Sequence, residues 1–260
     1  MKKFTKIMLI IAGVLATIGV SCMLVAFAMG LTTGHFIQMI RDGRFSFDGG
    51  DIHISFDQDE GDDLGDEILG DEVKSECSSM EIEFGAGLLS ISYGDVEYIQ
   101  VKQKNISNLK VSVKDGILMI KEGSGINVSV NELEDRRLEI ILPQNTQFDK
   151  VEMEIGASKA DISKLVAKEL RLEVGAGQAT VKELTVDKLD VEAGLGQVDI
   201  EMSGAAEEYN YDIECGIGRV VVGSDSYSGL GAEKSVKHEN ATKEIDVECG
   251  IGEVKIQFEK

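Results

Sequence analysis

Six times the chain repeats one phrase: an apolar residue, Glu, an apolar or small residue, Gly, an apolar residue, then Gly or Ser. The copies are Ile82-Glu83-Phe84-Gly85-Ala86-Gly87, Met153-Glu154-Ile155-Gly156-Ala157-Ser158, Leu172-Glu173-Val174-Gly175-Ala176-Gly177, Val191-Glu192-Ala193-Gly194-Leu195-Gly196, Ile213-Glu214-Cys215-Gly216-Ile217-Gly218 and Val247-Glu248-Cys249-Gly250-Ile251-Gly252. A repeat this regular means one small unit stacked on copies of itself. The first Gly of successive copies lies 71, 19, 19, 22 and 34 residues after the one before.

Around each copy the apolar positions alternate. Leu170, Leu172, Val174 and Ala176 enclose Arg171 and Glu173, and Leu189, Val191, Ala193 and Leu195 repeat the pattern. Period two is the mark of a strand with one buried and one wet face. After the Gly step the phase slips, to Ala179 and Val181, Val198 and Ile200, Val220 and Val222, and Val254 and Ile256. A strand changes phase only at a corner, which Gly supplies through positive φ or close backbone approach.

Each unit then reads as strand, Gly corner, second strand, a turn such as Lys182-Glu183, and a short third patch at Leu184 and Val186. Nineteen residues are too few for a helical crossover. The predicted fold class is all-β: a single-chain parallel β-solenoid, β-helix-like, with coils of about 19 residues. Residues 75–150 form an irregular N-terminal section, with a hairpin through Val111-Ser112-Val113, Lys114-Asp115-Gly116 and Ile117-Leu118-Met119-Ile120. Residues 151–260 carry the regular coils, with a polar, loop-like insertion near 224–242. The final copy ends close to Lys260 without a visible cap, which leaves end-to-end association open.

Residues 7–29 carry no charge and follow Lys2, Lys3 and Lys6. Twenty-three residues at 1.5 Å per residue cross a hydrocarbon core of ~30 Å. The lysines place residues 1–6 in the cytoplasm and everything beyond the anchor outside the cell. The expectation is a single-pass membrane protein with an uncleaved transmembrane helix and an extracellular C-terminal domain. Ala26-Phe27-Ala28 leaves signal-peptide cleavage open, and Gly19-Val20-Ser21-Cys22 faintly matches a lipoprotein box.

Residues 30–74 form an acidic juxtamembrane linker. From Asp48 to Glu76 there are twelve Asp or Glu against Lys74, interrupted by Gly49, Gly50, Gly61, Gly65 and Gly70. Such a stretch repels itself and extends. A calcium loop at Asp57-Gln58-Asp59-Glu60-Gly61 fails because Gly stands where the third ligand belongs.

The formal net charge is −21, which excludes electrostatic binding to nucleic acid or an anionic membrane surface. Outward positions of the first strand fall into two columns: Glu81, Glu152, Arg171, Asp190, Asp212 and Asp246, then Glu83, Glu154, Glu173, Glu192, Glu214 and Glu248. Only Arg171 among these twelve is not acidic. Stacked in register about 4.8 Å apart, each adjacent pair repels by roughly 0.9 kcal/mol in water. The bland explanation is a solvated face that keeps a stacked sheet soluble. The sharper one is that divalent cations such as Ca2+ bridge a ladder of Glu154, Glu173, Glu192 and Glu214, or that a basic partner covers it. Copies one and six are not secured in this ladder by their spacing. Cys215 and Cys249 occupy equivalent inward positions and read as buried thiols rather than a disulfide, because in-register neighbours point their Cβ atoms alike.

Catalytic signatures are missing. His35, His53 and His238 are scattered, and none neighbours a nucleophile or has metal-ligand spacing. The Gly-x-Gly steps lack the third Gly and the following helix of a dinucleotide loop. A polysaccharide-cleaving carboxylate pair is the least favoured reading, since an active site usually departs from its repeat.

The run from Leu142 to Gly204, with Leu-Pro-Gln-Asn-Thr-Gln-Phe-Asp-Lys-Val-Glu-Met-Glu-Ile-Gly and then Leu-Arg-Leu-Glu-Val-Gly-Ala-Gly, resembles a bacterial β-strand-repeat family regarded as adhesins. The resemblance covers residues 75–260. It implies a cell-surface solenoid on one membrane segment, sometimes tied to envelope-stress operons, with no catalytic residue to carry over. The expected function is thus a cell-surface binding or scaffolding module, not an enzyme. Its partner would be a cell-envelope component or membrane protein, with the acidic strand face as contact surface. The alternative is an envelope-stress sensor or regulatory subunit acting through a membrane partner.

Overall fold

The computed structural model describes residues 45–48, 51–54, 66–67, 72–123 and 126–259. The expected cytoplasmic tail at 1–6 and the transmembrane anchor at 7–29 lie outside the described residues, as does most of the acidic segment.

In chain order the N-terminal strands are β1 (Phe45–Asp48), β2 (Asp51–Ile54), β3 (Asp66–Glu67), β4 (Glu72–Val73), β5 (Ser79–Gly94), β6 (Ile99–Lys104), β7 (Leu109–Lys114), β8 (Ile117–Glu122) and β9 (Ile126–Ser129). The body follows as β10 (Arg137–Pro143), β11 (Phe148–Ile162), β12 (Leu165–Val174), β13 (Gln178–Thr185), β14 (Lys188–Ala193) and β15 (Gln197–Ser203). The chain ends with β16 (Tyr209–Val222), β17 (Asp225–Val236) and β18 (Lys243–Glu259). The described residues are all-β apart from two short 3-10 turns.

Six parallel pairings close a ring: β11 with β12, β12 with β14, β14 with β18, β18 with β15, β15 with β13, and β13 with β11. The ring closes because β11 and β18 are long enough to bend through their corners and pair on both sides. Residues 150–155 of β11 lie along β12, and residues 159–162 along β13. The repeat therefore makes two parallel sheets that share an edge at the Gly corners.

Inward residues stack into columns. Ile82, Met153, Leu172, Val191, Val247 and Ile213 form one such row, each at most 2 % exposed. Beside it, Phe84, Ile155, Val174, Ala193, Cys249 and Cys215 are all buried. Cys215 and Cys249 are register partners and remain free thiols. Burial pushes the Cys249 thiol up to about 12, so it packs as a small apolar group.

The Gly corners are set by close approach. A Cβ on Gly196 would stand 2.7 Å from the carbonyl oxygen of Gly177, and one on Gly250 would stand 2.8 Å from that of Gly194. Among the repeat glycines described, only Gly87 has positive φ, at 134°. Stacking one corner on the next, with Leu195 N–H donating to Gly175 O at 2.7 Å and Ile251 N–H to Gly194 O at 2.7 Å, leaves no room for a side chain.

Several expectations need correction. The stacking order is not the chain order: β18, carrying the sixth copy, lies between β14 and β16, so the fifth copy is outermost. The first copy does stack directly, β5 pairing with β11. The region expected to be a loop near 224–242 contains β17, which pairs antiparallel with β16 and caps that end. The last strand is thus interior rather than an open end. Lys182-Glu183 is no turn; β13 runs through it with a register irregularity between Val181 and Leu184. Within the segment expected as an extended linker, β1 pairs with β2 and β2 with β9, as the alternation of Phe45, Phe47, Ile52 and Ile54 with polar residues permits.

The hairpin expected through 111–120 is present as β7 and β8. Its turn residues Asp115 and Gly116 have φ of 50° and 78°, as a two-residue hairpin turn requires. Parallel to β5 on one side of the corner runs β8, and on the other runs β10, which itself pairs with β6. Where no earlier repeat exists to receive the first corner, a buried ion pair fills in. Glu122 Oε2 accepts from Gly85 N–H at 3.0 Å, Arg136 Nε donates to Ala86 O at 2.9 Å, and the two side chains pair with each other. Burial pushes the Glu122 carboxyl up, against the pull of Arg136.

Candidate functional site

Outward positions of the first-strand sheet are fixed by the same register that fixes the core. The inner column runs Lys121, Glu83, Glu154, Glu173, Glu192, Glu248, Glu214 and Glu233, each a Cα partner of the next. The outer column runs Glu81, Glu152, Arg171, Asp190, Asp246 and Asp212. Seven glutamates in succession stand about 4.8 Å apart.

Of the expected ladder, Glu154, Glu173 and Glu192 are consecutive. Glu214 is not the neighbour of Glu192, because Glu248 stands between them. The ladder also extends further than expected, through Glu83 at one end and Glu233 at the other. Glu233 was hidden by the loop-like composition of its segment.

Three cations neutralise one half of this face, the most exposed being Lys150, whose Nζ lies 2.7 Å from Glu152 Oε1. Lys121 Nζ lies 2.9 Å from both Glu81 Oε1 and Glu83 Oε1. Burial disfavours the Lys121 charge, but these two carboxylates outweigh it and hold its pKa above the ordinary lysine value. Arg171 Nε reaches Glu173 at 2.8 Å and its NH2 group reaches Glu192 at 2.7 Å. The single basic residue among the twelve is thus a clamp across two rungs, an assignment its odd sign in the column could have suggested. Around it lies an open depression of about 250 Å³, lined by Glu81, Glu83, Glu152, Glu154, Arg171 and Glu173.

The other half is different. Among the described residues no ion pair reaches Asp190, Asp246, Asp212 or Glu214. Burial first, then Asp190 and Asp212, push the Asp246 carboxyl up, with Lys188 only partly opposing. Glu192 is pushed up by burial and then by Glu173, while Arg171 pulls the other way. Raised carboxylates of this kind are what burial, followed by stacked like charges, produces.

Chemically, the face can attract cations but shows no catalytic pairing. Among the described residues no group of three or more His, Cys, Asp or Glu converges as a metal site. His238 is used structurally: its Nδ1 lies 2.7 Å from Tyr209 O, and its backbone N–H donates to Asn210 Oδ1 at 3.0 Å.

The profile of the toastrack family, DUF4097, matches residues 77–260, and the chain belongs to that family. Among solved structures, a candidate cell-adhesion protein from Clostridium sporogenes is 20% identical, covering 75% of this chain and 98% of its own, with a TM-score of 0.48. A candidate adhesin from Bacteroides fragilis is 16% identical over 70% of this chain and 93% of its own, with a TM-score of 0.31. Another from Parabacteroides distasonis is 12% identical over 74% and 97%, with a TM-score of 0.26. No curated protein matches the chain.

Proposed function

We propose that this toastrack chain is a non-enzymatic, cell-surface binding or scaffolding module in which a rigid, β-solenoid-like stack presents its acidic first-strand face to a basic partner. The anchor in this reading is the apolar run at residues 7–29, with the repeat domain held outside the cell. The observation that carries the reading is the set of carboxylates at Asp190, Asp246, Asp212 and Glu214, which no ion pair among the described residues neutralises. Like-charge stacking costs stability that Thr or Gln at the same strand positions would not cost. A counter-charge supplied from outside offsets that cost.

The test is retention of an oligolysine peptide by the full chain held in neutral-lipid nanodiscs. Retention should fall steeply with salt, because exposed charges are screened within about 8 Å at physiological ionic strength. It should also be lost in an Asp190→Asn/Asp246→Asn/Asp212→Asn/Glu214→Gln variant. Retention insensitive to both would overturn the reading. Ca2+ in place of the peptide asks whether a small ion suffices.

A further inference from the structure

The second-strand sheet holds an open depression of its own, of about 300 Å³, which shares no lining residue with the one on the acidic face. Its polar lining is Thr180, Lys182, Asp199, Glu201, Lys255 and Gln257, contributed by β13, β15 and β18. A break in the ladder marks this spot. Between β13 and β15 the register runs Val181 with Ile200 and then Leu184 with Met202, so Lys182 and Glu183 together lie opposite Glu201. On the preceding rung Ile162 and Leu165 keep step with Val181 and Leu184, so the extra residue is first dropped at β15. Bulges are rare between parallel strands, and where they occur they re-aim side chains. Here Glu183 pairs with Lys164, while Lys182 lines the depression.

Elsewhere on this sheet cations pair with neighbouring carboxylates, Lys159 with Asp161 at 3.5 Å and Arg219 with Glu253 at 3.6 Å. Among the described residues no ion pair reaches Lys182, Lys255, Asp199 or Glu201, although Asp199 and Lys255 are register partners. Asp199 accepts a hydrogen bond from Gln197 Nε2 at 2.7 Å. The lining forms two columns: Thr180, Asp199 and Lys255 in succession, and Lys182, Glu201 and Gln257 beside them. Each sets donor against acceptor on adjacent rungs about 4.8 Å apart. Two ammonium groups balance two carboxylates, so an anion is opposed by Asp199 and Glu201 and a cation by Lys182 and Lys255. A hydroxyl donates and accepts without carrying charge, and so meets neither repulsion.

We propose that this depression binds an uncharged polyhydroxyl ligand, a segment of neutral polysaccharide lying across β13, β15 and β18. Lys182, Lys255 and Gln257 donate to its hydroxyls, Asp199 and Glu201 accept from them, and Thr180 does either. The depression is open rather than enclosed, which suits a chain running past it better than a small molecule that a pocket must engulf. This gives the stack a second contact surface, and it does not depend on the acidic-face reading.

The test titrates linear tetrasaccharides against the full chain in neutral-lipid nanodiscs, with empty nanodiscs as reference. The probes are the neutral tetramers of glucose and of N-acetylglucosamine, the cationic tetramer of glucosamine and the anionic tetramer of galacturonate. A neutral tetramer should bind more tightly than either charged one, and its affinity should hold in about 1 M salt, where charges are screened within about 3 Å. Asp199→Ala/Lys255→Ala should weaken that binding at least about tenfold. Lys159→Ala/Asp161→Ala makes the same change of charge outside the depression and should leave binding unchanged. Both variants should keep the melting midpoint. If the first melts earlier, Lys182→Ala/Glu201→Ala, both exposed, replaces it and should weaken binding as much. If no neutral tetramer binds, the proposal falls, whatever the acidic face does with oligolysine. If a charged tetramer binds most tightly and salt releases it, the depression is an ionic site and the polyhydroxyl reading is overturned. Neutral binding that every variant leaves intact, or that all weaken alike, would place the ligand elsewhere and overturn it as well.

Discussion

The two sheets that meet at the Gly corners are built by the same repeat, yet they treat charge in opposite ways. On the second-strand sheet the outward columns mix: Gln178, Gln197, Glu253 and Arg219 in one, and Asp161, Thr180, Asp199 and Lys255 in another. Arg219 and Glu253 lie 3.6 Å apart. On the first-strand sheet seven glutamates follow one another. Even that sheet alternates sign one step further from the corner, where Lys150, Glu169, Lys188, Glu244 and Asn210 are successive partners. Repeat copying explains why a polar residue recurs at a position. It does not explain why one column keeps a single sign through seven glutamates, and the next departs from it only at Arg171, while other columns on the same backbone mix.

Removing the shared hinge should hurt both sheets together and give the largest effect. Arg136→Ala leaves Glu122 buried without its partner and Ala86 O without its donor. The expected cost is about 3–5 kcal/mol in urea unfolding, with both sheets lost in one transition. Separate transitions for the two sheets would break the view that the corners hold them as one body.

A next, smaller effect concerns the corner itself. Gly250→Ala sets a methyl against the Gly194 carbonyl, which the stack relieves only by opening there. Overpacking of this kind costs about 1–3 kcal/mol. Gly116→Ala, in a hairpin turn away from the ring, strains φ instead of stacking. It should therefore leave the exchange protection of β14 and β18 amides intact where Gly250→Ala lowers it.

The charge difference is sharpened by paired removals of arginine. Arg171 touches two carboxylates in an acidic column, whereas Arg219 pairs with one in a mixed column. Arg171→Met should cost roughly 0.5–1 kcal/mol and Arg219→Met no more than about 0.5, both side chains being solvent-screened. In 1 M salt, where screening acts within about 3 Å, the two variants should converge. Equal costs at low salt would mean that the acidic columns are not strained by their own charge.

Much of this was legible because period-two alternation and the Gly phase slip identify each strand's inner and outer faces regardless of its neighbours. Most inward residues of the repeats from Leu170 to Ile256 follow from that parity, but Leu195, expected inward with Leu189, Val191 and Ala193, is 43% exposed at its corner, as Ile251 is at 51%, and Val221 is buried out of phase. Strand order did not follow, because spacings of 22 and 34 residues say how much chain is available, not where it returns. Glu248 was therefore misplaced relative to Glu214. The strand β17 was missed because its Ser and Gly content reads as loop, while an antiparallel partner edge suffices to order it. Arg171 stood in plain view as the one exception in its column, but its reach over two rungs needed the register.

The smallest effect is the most direct reading of the acidic columns. Glu192 and Asp246 have carboxyls raised in the folded protein, by burial first and then by stacked carboxylates. A raised folded pKa means that the native state holds more protons than the unfolded chain, so these groups add stability as pH falls through the folded values and subtract it above them. The melting midpoint should rise on mild acidification from neutral pH toward the ordinary carboxylate range. Each group contributes a fraction of a degree to a few degrees, since ~1 kcal/mol moves a domain of this size by about 2–4 °C. A Glu192→Gln/Asp246→Asn variant should already have the raised midpoint at neutral pH and flatten the dependence. The matching change on the other sheet, Asp199→Asn, removes a carboxylate paired in register with Lys255 and should do neither. A midpoint that falls monotonically with acid in all three proteins would show that the first-strand carboxylates are stabilised where they stand, leaving no unfavourable charge for a partner to relieve.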